Sequence, residues 1–213
     1  PHGYSYPPDY KKPFPVESDH FSYMTLTKNS DPSLIRGIYK NSVHFVDSLI
    51  GEVLDGLKSQ GLDQEMIILF TSDHGQEFND TGLGYWGHNS NYSRFQTHVP
   101  MVLYWPGRTP KEFEPMSSHF DVAPTFMKEL FSVANPSSDY SSGESLFIDN
   151  EIPWILMGRE GDYAVFQPDQ IVVVHPTGDY DVLDANYQPL DSRSMNSSMV
   201  SEAIKEMSRF IRR

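Results

Sequence analysis

Apolar residues recur every three or four positions between residues 33 and 60, which is the spacing of one face of a helix. Asp31 and Pro32 suit the N-cap and the first position of that helix, and Gly61 suits the residue that ends it. The pattern predicts one long amphipathic helix over residues 33–60. Its predicted inward positions are Ile35, Ile38, Val43, Val46, Leu49, Ile50, Val53, Leu54 and Leu57.

Two short apolar runs follow this helix. Met66–Phe70 is continuous and partly β-branched, as in a fully buried strand. Val99–Trp105 predicts the next strand, and Pro106 and Gly107 end it. The polar, glycine-bearing segment between the two runs is too long for a simple turn, which is typical of a functional loop.

A second amphipathic helix is predicted after Asp121, which suits its N-cap, with Pro124 in the tolerated first turn. Its predicted inward residues are Val122, Phe126, Leu130 and Phe131. Residues 132–145 are polar and contain Pro136 and Gly143, which predicts a linker or a surface loop.

The pattern changes to short strands near residue 152. Four apolar segments separated by turn residues predict a small antiparallel meander, with strands at 152–157, 163–166, 171–174 and 180–183. A final amphipathic helix is predicted from its inward residues Val200, Ala203, Ile204, Met207 and Ile211. The predicted division of the chain is residues 1–135 and residues 146–213, with the second part packed on the first.

Residues 1–32 are rich in proline, tyrosine and aspartate, and prolines at positions 7, 8, 13 and 15 forbid a helix. We expect a long loop that leans on another part of the molecule. His2 lies at its start, and without further information an exposed terminal histidine is the simpler interpretation.

Composition narrows the classes of function. The chain has 213 residues, a formal charge of −13 and no cysteine. The negative charge argues against a nucleic-acid partner and against binding to anionic lipid through overall electrostatic attraction. An anionic substrate would therefore have to be drawn by a local metal ion. No stretch is apolar enough to span a bilayer, and the absence of an initiator Met favours a fragment of a longer protein.

Candidate chemistry lies where the first predicted strand ends. Asp73 and His74 can converge on one point if the chain bends there, which Gly75 would permit, and His88 and His98 follow. Carboxylate oxygen and imidazole nitrogen suit zinc or manganese. The alternative is that Asp73 caps a turn and His74 is a surface imidazole.

His44 and Asp47 are three residues apart in the predicted long helix and could offer two ligands on one face. A solvated helix face is the simpler interpretation of that pair.

Several motifs resemble the metal-site half of the alkaline phosphatase superfamily, in particular its sulfatases, lipoteichoic acid synthases and phosphoethanolamine transferases. The similar segments cover residues 1 to about 132, and they are residues 1–4, 39–57, 72–75, 87–88, 99–100, 105–107 and 118–125. The rest of the chain resembles, more loosely, the C-terminal part of YejM/PbgA-type inner-membrane proteins of Gram-negative bacteria.

The resemblance implies an α/β fold, the C-terminal half of a three-layer α/β/α sandwich with a small antiparallel β appendage. It implies that Asp73 and His74 are metal ligands and that His88 and His2 are catalytic. The ion would be one divalent metal, with zinc or manganese favoured over magnesium or calcium. The nucleophile and the remaining ligands would lie outside this chain. Where the transferases carry an acid after Asp-His-Gly, this chain has Gln76.

The implied function is a metal-dependent hydrolase or transferase that acts on a sulfate or phosphate ester, lipid head groups included. It would be the periplasmic domain of a protein anchored in the inner membrane of a Gram-negative bacterium. The alternative is a catalytically vestigial sulfatase-fold regulator or lipid-binding protein of lipopolysaccharide homeostasis.

Overall fold

The chain forms two compact units, residues 1–110 and residues 111–213. The computed structural model describes three stretches of it, residues 2–148, 153–191 and 195–209. Within these stretches, no helix has both the length and the hydrophobicity that crossing a membrane requires.

The predicted long helix forms as α1, Ser33–Ser59. Asp31 stabilises its start, because its carboxylate accepts hydrogen bonds from the backbone N–H and the hydroxyl of Ser33, at 2.9 and 2.7 Å. Gly61 follows the last turn at φ +71°, and the next backbone N–H donates to the carbonyl of Leu57. This is a Schellman ending. The helix and its Gly61 ending are confirmed, whereas the predicted start is off by one residue: Pro32 is the N-cap, and the helix begins at Ser33.

The proline-rich N-terminal segment lies along α1, as predicted for a loop that must lean on another element. Asn41, fully buried in α1, accepts a hydrogen bond from the backbone N–H of Phe14 (3.0 Å) and donates one to its carbonyl (2.8 Å). Tyr4 of the same segment packs with Ile35 and Ile38. His44 bonds through Nδ1 to the Tyr10 hydroxyl, so it anchors this segment.

Only the first half of the apolar face of α1 is buried. Ile35 and Ile38 are each 2% exposed, because the N-terminal segment packs on this part of the helix. The prediction that the whole face points inward is wrong for the second half, since nothing described in this unit covers it. Among the predicted inward residues, Val43 near the middle of the helix is 41% exposed, and Leu49, Val53 and Leu54 in the second half are 38–62% exposed.

Both strands predicted around the long loop form, although they are shorter than predicted. They are β1, Ile68–Thr71, and β4, Met101–Tyr104, which pair antiparallel with Ile68 opposite Tyr104. The expected full burial of the first strand is wrong: Met66 is 39% exposed, residues 67–70 are only half-buried, and Val102 on the partner strand is 58% exposed. With a single described partner, β1 forms a two-stranded ladder that lacks a second covering layer.

The long loop between β1 and β4 contains short elements of its own. They are β2, Glu77–Phe78, which pairs antiparallel with β3, Trp86–Gly87, and the single-turn helix α2, Arg94–Thr97.

In the second unit, Asp121 precedes helix α3, Val122–Phe131. Its buried carboxylate accepts hydrogen bonds from the backbone N–H groups of Ser118 (2.5 Å) and Glu144 (2.9 Å) rather than from the first turn of α3. Leu130 and Phe131, predicted to point inward, are 48% and 68% exposed, since they lie at the free end of the helix.

The surface loop predicted over residues 132–145 from their polar composition is observed for residues 132–140, which are mostly exposed, but the prediction is wrong for residues 141–145. Ser141 and Ser145 are buried, and the Ser141 hydroxyl donates to the carbonyl of Phe120 (2.7 Å). Gly143 lies so close that an added Cβ would approach the backbone of Phe120 and the carboxylate of Asp121 to under 3.0 Å. Polar residues fold inward here because partners on α3 and on the turn before it satisfy them.

The predicted meander is confirmed as a four-stranded antiparallel sheet of order β5-β6-β7-β8. Its strands are β5 Ile155–Gly158, β6 Tyr163–Phe166, β7 Ile171–Val174 and β8 Tyr180–Leu183. Ile152, with which the first of these strands was predicted to begin, lies outside the described residues.

Helix α4, Ser197–Ser208, packs on one face of this sheet and confirms the predicted final helix. Val200 and Ala203 of α4 form one buried cluster with Val165, Val172 and Val182 of the sheet. Ile211, predicted to continue the apolar face, lies outside the described residues, as do the two arginines after it.

The free edge of β8 is partly covered by the chain that follows it. Residues 184–188 turn back, Pro189 forms an isolated antiparallel bridge with Leu183, and the backbone N–H of Leu190 donates to the carbonyl of Val182 at 2.7 Å.

The Gly143→Ala substitution should destabilise the second unit by about 1–3 kcal/mol, the usual cost of forcing a side chain into a packed site. Gly51→Ala is the matched control, because no atom lies within 4 Å of the added methyl group in α1. That control should be stabilising by about 0.5–1 kcal/mol. Urea unfolding of both variants checks this, and equal stabilities would contradict the close approach.

His175, just after β7, makes the sheet's stability pH-dependent. The hydrogen bond from its Nε2 to Asp181 (2.9 Å), with the charges of Asp179 and Asp162, raises the pKa of the imidazole. A raised folded-state pKa contributes stability that is complete below the ordinary histidine pKa and is lost as the pH rises through the folded value.

We therefore expect wild-type stability to fall between about pH 5.5 and pH 8.5 by more than that of Asp181→Asn, which lacks the ion pair. Urea unfolding at both pH values gives the loss of stability for each protein. The contributions of the other titrating groups cancel when the two losses are subtracted. Asp169→Asn, at an exposed position in the turn between β6 and β7, should behave like wild type. The same pH dependence in Asp181→Asn would refute the assignment.

Candidate functional site

The chain bends at Asp73, two residues after β1 ends. The Asp73 carboxylate accepts a hydrogen bond from the backbone N–H of His74 (3.0 Å), and its Oδ1 lies 3.7 Å from His74 Nε2. The hydroxyl of Ser72 donates to the His74 carbonyl at 2.9 Å. Adjacent carboxylate and imidazole groups therefore lie on the same side of the bend, although neighbours on a straight strand would point apart.

Gly75 is required at this bend by a close approach of two backbone segments. A Cβ on Gly75 would lie under 3.0 Å from the carbonyl oxygen of Phe95, and its N–H donates to the Gln96 carbonyl at 2.8 Å. We expected a glycine here for its conformational freedom, but Gly75 is not among the described residues with positive φ. The reason for the glycine is therefore steric.

The buried carboxylate of Glu77 organises the loop behind the site. It is fully buried and accepts hydrogen bonds from Asn91 Nδ2 (2.7 Å), Ser93 Oγ (3.2 Å) and Gln96 Nε2 (2.9 Å). Its other oxygen accepts one from the Thr81 hydroxyl at 2.5 Å. These contacts join β2 to the segment around α2, whose Gln96 carbonyl in turn binds the bend.

Three imidazoles from separate segments meet in front of the bend: His2, His74 and His88. One ligand nitrogen from each lies within 4.8 Å of the other two. The rings of His74 and His88 stack, with centroids 4.0 Å apart at 19°, and the His2 ring stands edge-on to His88 at 4.9 Å. Grouped nitrogens of this kind can hold a metal ion or face an anionic group.

Hydrogen bonds at the other ring nitrogens leave Nε2 of two of these histidines available. His74 Nδ1 contacts the carbonyl of Gly75 at 2.8 Å, and His88 Nδ1 contacts Gln76 Oε1 at 3.0 Å. A carbonyl or amide oxygen accepts hydrogen bonds, so each Nδ1 carries a proton, and in a neutral ring the lone pair then lies on Nε2. Burial, with the proximity of His74 and His2, lowers the pKa of His88 and favours its neutral form.

The Asp73 and His74 pair also fits a shared ion. Two ligand atoms held about 2.1 Å from one tetrahedral ion lie about 3.4 Å apart, close to the observed 3.7 Å separation. The Asp73 side chain is 87% exposed, so its carboxylate can turn without breaking a packed contact. The described residues therefore offer two possible sets of metal ligands, the three imidazoles and the Asp73–His74 pair, and His74 belongs to both.

The structure brings together all four residues predicted for the site, with Asp73 beside the imidazole group rather than in it. His98 caps the end of α2 and is not in the group. The sequence interpretation missed Tyr4 and the supporting role of Gln76 and Glu77. A single sequence offers a weak signal for these residues, namely polar side chains flanking a candidate ligand motif.

Comparison with known proteins bears on the same residues. Residues 1–130 match the family model described as Sulfatase. Inner membrane protein YejM of Salmonella typhimurium is 24% identical over 174 residues, 81% of this chain and 29% of that protein. Human iduronate 2-sulfatase is 43% identical over 77 residues, 35% of this chain and 13% of that protein. The chain thus spans less than a third of these relatives.

The fold comparison agrees. A crystal structure of a protein in the alkaline phosphatase superfamily from Vibrio parahaemolyticus matches with a TM-score of 0.61 at 17% identity, over 96% of this chain and 44% of that one. Because the family model covers more than half of the chain and includes His2, the bend and His88, the resemblance found in the motifs is confirmed: this chain belongs to the Sulfatase family, within the alkaline phosphatase superfamily.

Proposed function

We propose that this chain supplies the metal-binding and substrate-facing part of a metal-dependent hydrolase or transferase that acts on a sulfate or phosphate ester. The observation that carries the proposal is the convergence of His2, His74 and His88 from three separate segments next to the Asp73 carboxylate. Such a convergence of imidazoles and a carboxylate is costly to assemble for stability alone, and it suits an anionic ester held by a cation.

Asp73 Oδ1 and His74 Nε2 are the proposed ligands of one divalent ion. An oxygen and an imidazole nitrogen favour zinc or manganese, whereas magnesium and calcium prefer oxygen alone. When bound, the ion would polarise the ester and offset its negative charge. The hydrogen bond from His74 Nδ1 to the Gly75 carbonyl fixes the ring so that Nε2 faces the ion.

His88 and His2 are proposed to face the reacting group. The neutral His88 presents a lone pair at Nε2, so it can accept a proton from an attacking hydroxyl. His2 is the more exposed of the two and is proposed to contact the ester's outer oxygens. The nucleophile is proposed to lie in a part of the longer protein outside these residues.

The uncovered apolar surfaces of the first unit support a larger fold. We propose that further sequence in a longer protein adds strands to the β1–β4 ladder and covers the second half of α1, completing a three-layer α/β/α sandwich. Val53 and Val102, 62% and 58% exposed, are then interior. In this proposal residues 1–135 belong to the sandwich, and residues 146–213 form the antiparallel appendage.

A membrane setting is proposed from the relative named an inner membrane protein. The parent protein would be anchored in the inner membrane of a Gram-negative bacterium, with this chain in the periplasm and a lipid head group as one ester substrate. The same relative favours a second candidate, a regulator or lipid-binding protein of lipopolysaccharide homeostasis with a vestigial site. Gln76, in place of the acid expected in the transferases, also favours it.

Metal analysis of the longer protein that contains this chain tests the proposal. We expect about one zinc or manganese ion per chain, lost in Asp73→Ala and in His74→Ala. His88→Ala should keep the ion but lower turnover of sulfate or phosphate esters about 100-fold or more, as for a lost proton-transfer group. Asp55→Ala, an exposed carboxylate on α1, is the control and should change neither.

Two other results would point elsewhere. If Asp73→Ala keeps the ion and His88→Ala loses it, the ion belongs to the three imidazoles instead. A folded wild-type protein without metal and without turnover would refute the enzyme and support the regulator.

A further inference from the structure

The geometry points to a positioning role for Gln76: its side-chain amide fixes the tautomer and orientation of His88, and Tyr4 holds that amide in place. Any effect of this arrangement on catalysis rests on the proposed function, whereas the positioning of His88 by Gln76 does not. Gln76 lies between the bend and the buried Glu77, and it is the position at which this chain departs from the acid of the transferases.

The first step is the contact of Gln76 Oε1 with His88 Nδ1 at 3.0 Å. An amide oxygen only accepts hydrogen bonds, so Nδ1 must carry the proton and Nε2 must carry the lone pair. The outcome is a neutral imidazole whose accepting nitrogen is free to face an ion or a hydroxyl. A carboxylate at this position would bind the same Nδ1 proton while adding a negative charge beside the ring.

The second step is the orientation of the amide, since a flipped amide would impose the opposite tautomer. Gln76 Nε2 donates to the hydroxyl oxygen of Tyr4, which also accepts from the hydroxyl of Tyr23 at 2.9 Å. In this arrangement Tyr4 engages the amide nitrogen, and the amide oxygen faces His88.

The third step is the rigidity of the anchor. Tyr4 is only 7% exposed, and its ring stacks on Phe21 at 5.7 Å and packs edge-on against Tyr39 at 5.4 Å. Tyr4 lies two residues after His2, so the side chain that holds the amide also secures the segment that carries His2. One buried ring therefore positions two of the three imidazoles.

The tautomer can be measured directly by NMR of the histidine-labelled longer protein that contains this chain, stripped of metal, at about pH 8.5, where ordinary imidazoles are neutral. Ring ¹⁵N and ¹³C shifts distinguish the two tautomers, and the His88→Gln spectrum assigns the signal. Wild type and Gln76→Glu should show the proton on Nδ1. Gln76→Leu should show a mixture of tautomers, and Tyr4→Phe should show a partial shift toward the same mixture.

Gln64→Leu and Tyr6→Phe are the matched controls, since these side chains contact Asp63 and Asp19 rather than a histidine, and both should match wild type. The inference is overturned if wild-type His88 carries its proton on Nε2, or if Gln76→Leu leaves the tautomer unchanged. If the leucine variant fails to fold, the glutamate variant decides the question. Loss of the Nδ1–H tautomer in Gln76→Glu would also overturn the inference.

The functional consequence is tested in the longer protein by metal affinity and by ester turnover. Loss of an outer-shell partner typically costs about 10- to 100-fold in either quantity, which we expect for Gln76→Leu, with recovery in Gln76→Glu. An active protein whose metal affinity and turnover are both unaffected by Gln76→Leu would overturn the catalytic role. An inactive, metal-free wild type with a Gln76-dependent tautomer would refute the proposed function and leave the positioning role standing.

Discussion

The carboxylate of Glu77 is fully buried and is held by the neutral side chains of Asn91, Ser93 and Gln96. A buried charge of this kind is tolerated only when hydrogen bonds replace its water, so the loop between β1 and β4 must keep its donors in place. Gln96 transmits the constraint, because its backbone carbonyl receives the N–H of Gly75. The geometry of the bend therefore depends on a buried carboxylate that lies behind the three imidazoles.

The site combines this polar scaffold with an aromatic one. Tyr4, buried against α1 and against Phe78 of β2, brings the N-terminal segment to the same place as the bend. The three imidazoles come from separate segments, and each is held by a neighbouring contact. Tyr4 anchors the segment of His2, the hydrogen bond to the Gln96 carbonyl holds the bend of His74, and Gln76 contacts His88. The proposed reaction on a charged ester would benefit from such preorganisation, since movement of the proposed ligands during the reaction would cost part of the stabilisation.

Local patterns predicted most of the elements. The periodicity of α1, its flanking Asp31 and Gly61, and the four strands of the meander were predictable because each depends on neighbouring residues. The sequence could not show that the described residues leave about half of the helix face uncovered, since burial depends on what else is present. It also could not show the packing of residues 141–145, where Asp121 and other polar side chains satisfy the backbone.

The site was predictable in part, because a carboxylate and an imidazole at a strand end carry a chemical meaning on their own. The convergence of His2 with His88 depends on tertiary contacts, and only the family resemblance suggested it. The close approach at Gly75 is likewise invisible in one sequence, in which a glycine signals flexibility as readily as it signals contact.

Pro189 has a consequence for the behaviour of the chain at high concentration. The open edge of a sheet offers N–H and carbonyl groups to any passing strand, and such edges nucleate aggregation. Beside β8, the returning segment occupies part of that edge, and proline presents no N–H to a newcomer. On this side, the meander is built to resist adding a strand from another molecule.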